Sequence, residues 1–553
     1  MMKKIKKIYL VLAISIASLL SFSFVDNFFE ISKNLDIFST LYKELNIFYV
    51  DETDSGELMK TAIDAMLESL DPYTTYIPES DKEDFEFMTT GQYGGIGAVI
   101  TKIEDWVYVS EPYEGFPADK AGLIAGDKFL EVDGESVEGK STEDVSKVLK
   151  GEPNTSINVL IERAGVKPFE VEIVREEIKL SAVPYYGIVA DSIGYIKTRS
   201  FTRKISKEVE DAYNKINGDN QLKGLILDLR GNPGGLLNEA IKMANIFIDK
   251  NQEIVFTKGK IKEWEKSYKT KSDPIDTDIP LVVLINRSSA SASEIVSGSI
   301  QDLDRGVVLG QRSFGKGLVQ QTRKLSYNAQ LKVTTAKYYI PSGRCIQALD
   351  YSNRDEDGSV GKIPDSLKTE FKTLVNKRSV FDGGGIEPDV KVEPYKYSNL
   401  LRSIIRKRHI FNFANQFKAE NDSIPPAKKF VISDQVYDVF KQYLDDKEYE
   451  YETDTEKAIK ELVADAESEK YFSDIEAELD QLKEKMNASK DNDIERFKSE
   501  IKEVMEMEIA TRYYYQKGKI ESTIKHDNEL AEAIDLLNDM NRYHAILRGD
   551  SIN

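Results

Sequence analysis

The 553-residue sequence has very few of the residues that form disulfides, metal sites and histidine-based catalytic centres. It contains one cysteine, Cys345, and three histidines, His409, His526 and His544. One cysteine allows no intramolecular disulfide and no thiolate metal cluster. A zinc site would need all three widely spaced histidines, and no HExxH motif occurs. We therefore expect neither a bound metal nor a cofactor.

The sequence also lacks an excess of positive charge and any complete phosphate-binding motif. Its net charge is -20 and its pI is about 4.9. Such a surface repels the phosphate backbone of nucleic acids, so we expect no nucleic-acid partner. No P-loop is present, and no complete GxGxxG fingerprint opens a helix.

Long apolar runs are also scarce, and the one long uncharged apolar run lies at the N-terminus. Lysines cluster between positions 3 and 7, and residues 8–25 carry no charge. This order is typical of an export signal, and Ser21 and Ser23 form a small-x-small cleavage pattern. The run is also near the minimum length that spans a bilayer. We expect export to the periplasm or cell envelope, with residues 1–25 as a signal peptide or, alternatively, a retained membrane anchor.

Residues 31–90 carry a helical pattern, and residues 91–178 change to short strands and glycine turns. The second segment contains "GGIGAVI" and "PADKAGLIAGDKFLEVDG", with one helix predicted near residues 142–149. These motifs resemble a PDZ domain. The backbone N–H groups of Ile96, Gly97 and Ala98 in the glycine-rich loop are the predicted binding site for a substrate's C-terminal carboxylate.

Residues 181–396 alternate buried strands with helices. "GLILDLRGNPGG", "PLVVLINRSSASASEIVSGSIQD" and "RGVVLGQRSFGKGLVQ" each contain a strand followed by a polar or glycine-rich loop. This pattern predicts a sheet flanked by helices, with functional residues at the carboxyl ends of the strands. We interpret Asp228 and Arg230, at one strand end, as a structural ion pair rather than catalytic groups.

The serine-rich run at residues 286–299 raises the question of a nucleophile and its base. No histidine lies in the α/β segment, so a Ser-His-Asp triad drawn from it is excluded. A lysine is the remaining base, provided that burial keeps it neutral. Lys316, between two glycines in "FGKG", is the best candidate, although an isolated GKG is also typical of a solvent-exposed turn.

The α/β segment resembles the carboxyl-terminal processing, or tail-specific, proteases. The matching motifs run in the family's order from "LDPYTTYIP" through "LILDLRGNPGG", "SSASASEIVSGSIQD" and "GQRSFGKGLVQ" to "DGGGIEPDV". The resemblance implies a Ser-Lys dyad of Ser291 and Lys316, with Gln320 orienting the lysine. Ser289 and Ser293 are then turn or cap residues.

An oxyanion hole follows from the same arrangement. The Ala292 N–H lies at the predicted helix start, where the helix dipole favours negative charge. We expect the second donor to be the backbone N–H of Gly234 or Gly235, and the sequence does not decide between them.

The predicted fold is an α/β protease core, a sheet flanked by helices as in crotonase and Clp protease. A PDZ-like β-rich domain is inserted, with helical regions at the N-terminus and at residues 397–553. The second of these is acidic and amphipathic, and we interpret it as accessory. Membrane association through residues 8–25 and homo-oligomerisation stay open.

We expect an exported serine endopeptidase whose substrates are proteins or peptides with apolar C-termini. The alternative is a catalytically inactive PDZ adaptor on a protease scaffold. A crotonase-like acyl-CoA enzyme shares the strand–glycine turn–helix pattern, but the PDZ-like insert and the lysine spacing disfavour it.

Overall fold

Two helices open the described part of the chain. The computed structural model describes residues 28–81, 90–351 and 360–550, except positions 362, 365, 367 and 491. Helix α1 spans 28–48, α2 spans Ser55–Glu68, strand β1 spans Thr75–Ile77, and a 3-10 turn covers Glu79–Asp81. Within the described residues of the predicted helical region, helices α1 and α2 end at Glu68, and a strand and a 3-10 turn follow. The predicted signal or anchor segment and residues 82–89 lie outside the described residues.

The PDZ-like segment forms a six-stranded antiparallel sheet in the order β3-β4-β5-β7-β8, with β6 paired to β5, and a separate β2-β9 pair. Its predicted helix is present with a capping box, because Ser141 and Asp144 exchange hydrogen bonds at its start. The elements are β2 Gln92–Gly95, β3 Ala98–Ile103, β4 Trp106–Pro112, α3 Pro117–Lys120, β5 Lys128–Val132, β6 Glu135–Ser136, α4 Thr142–Leu149, β7 Ser156–Glu162, β8 Phe169–Val174 and β9 Glu176–Lys179.

The α/β segment contains a six-stranded sheet in the order β10-β11-β12-β15-β16-β21, parallel except for the β10-β11 pair. Strands β13, β14 and β18 pair separately. The elements are β10 Tyr185–Ala190, β11 Ile193–Lys197, α5 Ile205–Asn220, β12 Gly224–Asp228, α6 Leu237–Phe247, β13 Glu253–Gly259, β14 Lys266–Lys269, β15 Leu281–Ile285, α7 Ala292–Asp302, β16 Val307–Gly310, β17 Leu318–Lys324, β18 Gln330–Tyr339, β19 Glu370–Lys372, β20 Ser379–Phe381 and β21 Val390–Lys391.

The register of the parallel strands places the carboxyl ends of β12, β15 and β16 side by side. Asp228 at the end of β12 pairs with Leu284 of β15, and Ile285 at the end of β15 pairs with Gly310 of β16. Every residue of β12, β15 and β16 is buried, as expected for parallel strands covered on both faces. The loops that leave these strands therefore meet at one edge of the sheet.

Helices cover both faces of this sheet. On one face, α5, α6 and α7 pack their apolar side chains onto residues such as Leu225, Leu227 and Val283. On the other face, Ile226, Val282 and Leu309 pack against apolar residues from the end of the chain, including Leu530 and Leu536. The C-terminal region is therefore part of the α/β layer structure, which its interpretation as accessory did not anticipate.

Several other C-terminal helices form a separate apolar cluster that includes Leu400, Phe413, Tyr437, Phe440 and Ile501. Within the described ranges, no helix has the length and apolar character needed to cross a membrane. The helices are α8 Asn399–Arg406, α9 His409–Glu420, α10 Asp434–Leu444, α11 Asp454–Glu469, α12 Phe472–Lys490, α13 Asp493–Arg496, α14 Lys498–Ile524, α15 Asn528–Asn538 and α16 Met540–Arg548.

Candidate active site

Ser291 lies on a strained turn between β15 and α7. Its backbone has φ 56° and ψ -111°, and it occupies the N-cap position of α7. A non-glycine residue with positive φ outside the left-handed helical region carries strain, which persists only where the surroundings fix it. The turn presents Ser291 at the positive end of the helix dipole, where negative charge on a substrate oxygen is stabilised.

Neighbouring serines fix this turn. The Ser289 hydroxyl donates to the Leu229 carbonyl at 2.8 Å, and the Ser293 hydroxyl donates to the Asn232 carbonyl at 2.9 Å. Both serines are fully buried, whereas Ser291 is partly exposed. The two flanking hydroxyls thus hold the turn against the loop after β12, and Ser291 alone of the three combines partial exposure with the strained backbone.

Two glycines of the loop after β12 lie in tight backbone contacts, and one of them, Gly234, approaches the serine turn. A Cβ on Gly234 would lie 2.6 Å from the Ala290 carbonyl oxygen and 2.9 Å from the Ala292 nitrogen. A Cβ on Gly235 would lie 2.5 Å from the Phe201 carbonyl oxygen. Only glycine allows this contact, since φ is also positive at both positions, +96° and +146°.

The two glycines differ in their hydrogen bonding. The Gly234 N–H donates to the Asn232 side-chain oxygen at 3.0 Å, so this donor is already engaged in the structure. Gly234 would have to exchange that bond before it could bind a substrate oxygen. Gly235 carries no such side-chain bond in the described structure, which favours its N–H as the partner of Ala292.

Glu294 connects the serine turn to the lysine loop. Its carboxylate accepts hydrogen bonds from the backbone N–H groups of Ser291 at 2.7 Å, Gly315 at 2.7 Å and Lys316 at 2.9 Å, and from the Ser313 hydroxyl at 2.5 Å. One side chain therefore fixes the backbone of both predicted dyad residues.

Glu294 is fully buried, and burial raises its pKa to about 7, although its hydrogen bonds oppose the rise. Sequence reasoning did not single out this residue. Its signal was the Ser-x-x-Glu capping-box spacing from Ser291, which predicts only a local contact and not a bond to residues 315 and 316.

Lys316 follows Gly315 and precedes strand β17, and it is partly exposed. The Tyr338 hydroxyl lies 3.2 Å from the Ser291 carbonyl oxygen and also contacts the Lys316 carbonyl oxygen. Tyr338 therefore adds a second bridge between the two backbones. The Gln320 amide donates to the Thr334 hydroxyl at 3.2 Å, which joins this predicted orienting residue of β17 to the neighbouring strand β18.

The strand end before the glycine loop carries a buried charge cluster. Asp228 binds Arg230 at 2.8 Å, Lys197 at 3.0 Å and the Tyr195 hydroxyl at 2.6 Å. Burial alone would raise the pKa of Asp228, but the two cations outweigh it and hold the pKa far below its usual range. This geometry agrees with the interpretation of Asp228 and Arg230 as a structural pair.

The predicted carboxylate-binding loop connects β2 to β3. The carbonyl oxygens of Ile96 and Gly97 accept hydrogen bonds from Ala118 and Tyr113, at 2.7 and 2.9 Å. Gly97 has φ +71°, and a Cβ there would lie 2.5 Å from the Phe116 Cβ. The loop is therefore fixed through its carbonyl groups, and only glycine fits its tightest point.

The three histidines lie in the C-terminal helical region. His409 Nε2 bonds the Glu448 carbonyl at 2.9 Å, and His526 lies 3.2 Å from Glu506. Over the part of the chain that the structure describes, no group of three or more metal-binding side chains is assembled.

Three protein-family models match separate segments of the chain. The family model described as peptidase family S41 matches residues 192–352, and a PDZ domain model matches residues 108–163. A model described as a probable PDZ-protease C-terminal helical domain matches residues 400–537. A carboxy-terminal-processing protease of Bartonella bacilliformis is 39% identical over 322 residues, which span 57% of this chain and 73% of that relative. The chain belongs to the carboxy-terminal-processing proteases of peptidase family S41.

Other proteins are also similar to this chain. A probable CtpA-like serine protease of Staphylococcus aureus is 35% identical over 371 residues, 66% of each chain. Among solved structures, a photosystem II D1 C-terminal processing protease is 27% identical, covers 65% of this chain and 92% of its own, and has a TM-score of 0.35. The PDZ domain of a Vibrio cholerae carboxy-terminal protease, solved with a peptide, is 31% identical, covers 16% of this chain and 99% of its own, and has a TM-score of 0.15.

Membership of this family confirms the predicted enzyme class, a serine peptidase. The chain is a serine peptidase with a PDZ domain and a C-terminal helical domain, built on mixed sheets flanked by helices. The roles of Ser291, Lys316 and Gln320, of the oxyanion donors and of the carboxylate loop stay predictions.

Proposed function

We propose that the chain is an exported endopeptidase that recognises protein C-termini through its PDZ domain and cleaves peptide bonds with Ser291 and Lys316. The buried Glu294 carboxylate supports this most, because it hydrogen-bonds the backbone N–H of both residues, at 2.7 and 2.9 Å. A shared, buried acceptor is a costly arrangement unless the relative position of the two residues matters.

The chemistry then proceeds in two stages. The Ser291 Oγ attacks the peptide carbonyl carbon while the neutral Lys316 amine takes the hydroxyl proton. The negative carbonyl oxygen binds the N–H of Ala292 and a glycine N–H from the loop after β12, Gly235 in preference to Gly234. When the C–N bond breaks, Lys316 returns its proton to the leaving amine.

Water completes the cycle. It attacks the acyl-enzyme carbonyl, Lys316 takes a proton from the water, and the Ser291–acyl bond breaks as that proton returns to the serine oxygen. Gln320 orients the lysine by hydrogen bonding, since a neutral amide adds no negative charge that would stabilise the ammonium form.

The chain divides into five segments under this proposal. Residues 1–25 are a signal peptide or anchor, 31–90 an N-terminal helical region, 91–178 the PDZ domain, 181–396 the peptidase core and 397–553 the acidic helical region. Substrate tails bind through the N–H groups of Ile96, Gly97 and Ala98.

The direct test uses the full-length protein and an unfolded substrate with an apolar C-terminus. We expect Ser291→Ala and Lys316→Ala each to abolish cleavage while leaving the thermal unfolding midpoint within a few degrees. Ser299→Ala is a matched control, because Ser299 is a buried serine of the same helix whose hydroxyl bonds the Ile254 carbonyl at 3.2 Å, outside the site. Cleavage retained by either dyad variant would refute the assignment.

Tail recognition and export need separate measurements. Amidation of the substrate's C-terminus removes the carboxylate, so it should raise KM and leave kcat nearly unchanged; an unchanged KM would contradict carboxylate binding. A reporter enzyme that is active only outside the cytoplasm should be exported when fused after residues 1–30. Deletion of residues 8–25 should abolish that export, and an unaffected reporter would contradict an export function.

A further inference from the structure

The loop that carries the candidate oxyanion glycines is bound by carboxylates from near the end of the chain. The Arg230 guanidinium donates to both carboxylate oxygens of Asp527, at 2.9 and 2.6 Å, and to Glu529 at 2.5 Å. Side-chain exposure is 11% for Arg230, 19% for Asp527 and 13% for Glu529. These contacts are therefore largely shielded from water, where such charge-assisted bonds are strongest.

Glu529 also bonds a second strand end. Its other oxygen accepts from the Gln311 amide at 2.9 Å, and Gln311 directly follows β16. The backbone N–H of Gln311 in turn donates to the Ile285 carbonyl, at 3.0 Å, where β15 ends. One carboxylate thus joins the loops after β12 and β16, from which the glycine loop and the Lys316 loop continue.

The two carboxylates are themselves held in place. Asp527 caps α15 by accepting the Leu530 N–H at 3.0 Å. Apolar residues of α15, including Leu530 and Leu536, pack onto the sheet residues Ile226 and Leu309. The start of α15 is therefore a rigid support at the carboxyl ends of the strands.

Displacement of Arg230 would reach the serine turn through short backbone connections. The next residue, Gly231, donates to the Asn286 side chain at 3.1 Å. The Asn232 carbonyl accepts from the Ala290 N–H at 3.1 Å and from the Ser293 hydroxyl at 2.9 Å. The loop therefore contacts the turn on both sides of Ser291.

We propose that Asp527 and Glu529 are positioning residues for peptide hydrolysis: by holding Arg230, they fix the loop of residues 231–235 against the serine turn. This inference rests on the proposed function. The C-terminal helical region thus supports the active-site loop of the peptidase core. Loss of these two carboxylates should therefore lower kcat rather than weaken substrate binding.

The test compares full-length Asp527→Asn, Glu529→Gln and the double variant with wild type. Each change keeps the side-chain shape and removes the charge. We expect the double variant to lose at least tenfold in kcat with KM within twofold, because the PDZ domain still captures the substrate tail. Asp527→Glu, which keeps the charge, should retain more activity than Asp527→Asn.

Glu532→Gln is the matched control. Glu532 lies on the same helix and pairs with Arg542, away from the catalytic loops. Its loss should change stability but leave kcat unchanged. A double variant whose kcat stays within twofold of wild type, or whose activity loss only tracks its unfolded fraction, would overturn the proposal.

Hydrogen exchange gives a readout that does not depend on catalysis. Amides of residues 229–236 should exchange faster in the double variant than in wild type or Glu532→Gln; unchanged exchange there also overturns the proposal. If Ser291→Ala, assayed in parallel, still cleaves substrate, the proposed dyad fails, and the exchange data still decide whether Asp527 and Glu529 hold the loop.

Discussion

Replacing Glu294 with glutamine tests the link between the serine turn and the lysine loop. The carboxylate accepts four hydrogen bonds, two on each oxygen. A glutamine keeps one acceptor oxygen and turns an NH2 group toward the other two donors. Each buried donor left unsatisfied costs about 1–3 kcal/mol, so the change should destabilise the site by roughly 2–6 kcal/mol. We expect kcat to fall at least tenfold, which requires only ~1.4 kcal/mol of this loss to act on the transition state.

The assay combines denaturant unfolding with steady-state cleavage of an unfolded protein. Glu239→Gln is a matched control: Glu239 is 3% exposed and binds Ser206 and Lys242, outside the site. It should lose stability without a comparable loss of kcat in the folded protein. Ser313→Ala removes only one of the four donors and is a milder second variant. A folded Glu294→Gln protein with kcat within twofold of wild type would refute the reasoning.

The same residue makes a pH prediction. Burial raises the pKa of Glu294 to about 7 from an ordinary 4.5, so the neutral form favours the folded state. Its contribution to stability is complete below about pH 4.5 and is lost as the pH rises through 7. The difference of about 2.5 pKa units corresponds to about 3 kcal/mol. Glu294→Gln should remove this loss, and an identical pH dependence of unfolding in both proteins would contradict it.

Three further substitutions follow from the geometry. Gly234→Ala should abolish cleavage and lower the unfolding midpoint, because the added Cβ would lie 2.6 Å from a carbonyl oxygen. Gly231→Ala is the control, since Gly231 also has a positive φ but nothing lies within 4 Å of an added Cβ. This change should lower the free energy of unfolding by only about 1 kcal/mol. Gly97→Ala should raise KM for substrates with apolar C-termini and spare kcat, since the added Cβ would strike Phe116 in the carboxylate loop. Asp228→Asn should destabilise the protein by roughly 3 kcal/mol at neutral pH, as measured by denaturant unfolding. Because the pKa of Asp228 is held far below its usual range, wild type loses stability as the pH falls below about 4. The variant should show a smaller loss over that pH range.

Local sequence pattern was sufficient for many elements. The largely apolar run of β12, the fully apolar run of β15 and the helix Thr142–Leu149 form where the sequence predicts them. The serine run was readable as a strand-to-helix turn because the apolar strand before it and the helical spacing after it are both local signals.

Contacts between segments distant in the chain could not be predicted from local sequence patterns. The spacing of Glu294 from Ser291 suggests a helix cap, but its bonds to Gly315 and Lys316 depend on how β15 and β16 align. The amphipathic pattern around Leu530 predicts a helix and does not say which surface it covers. For the same reason, the sequence does not predict the hydrogen bond from the Gly234 N–H to the Asn232 side chain, which depends on the fold of the loop.

The central claim is that a neutral Lys316 amine accepts the proton of Ser291, and Lys316→Arg tests it most directly. Arginine keeps the positive charge and much of the length of lysine, but its guanidinium stays protonated in proteins and cannot act as the base. The measurement is the rate at which the folded, full-length variant cleaves an unfolded protein with an apolar C-terminus. The account predicts no cleavage above the level of Ser291→Ala, and a Lys316→Arg protein that cleaves at a rate near wild type would contradict it.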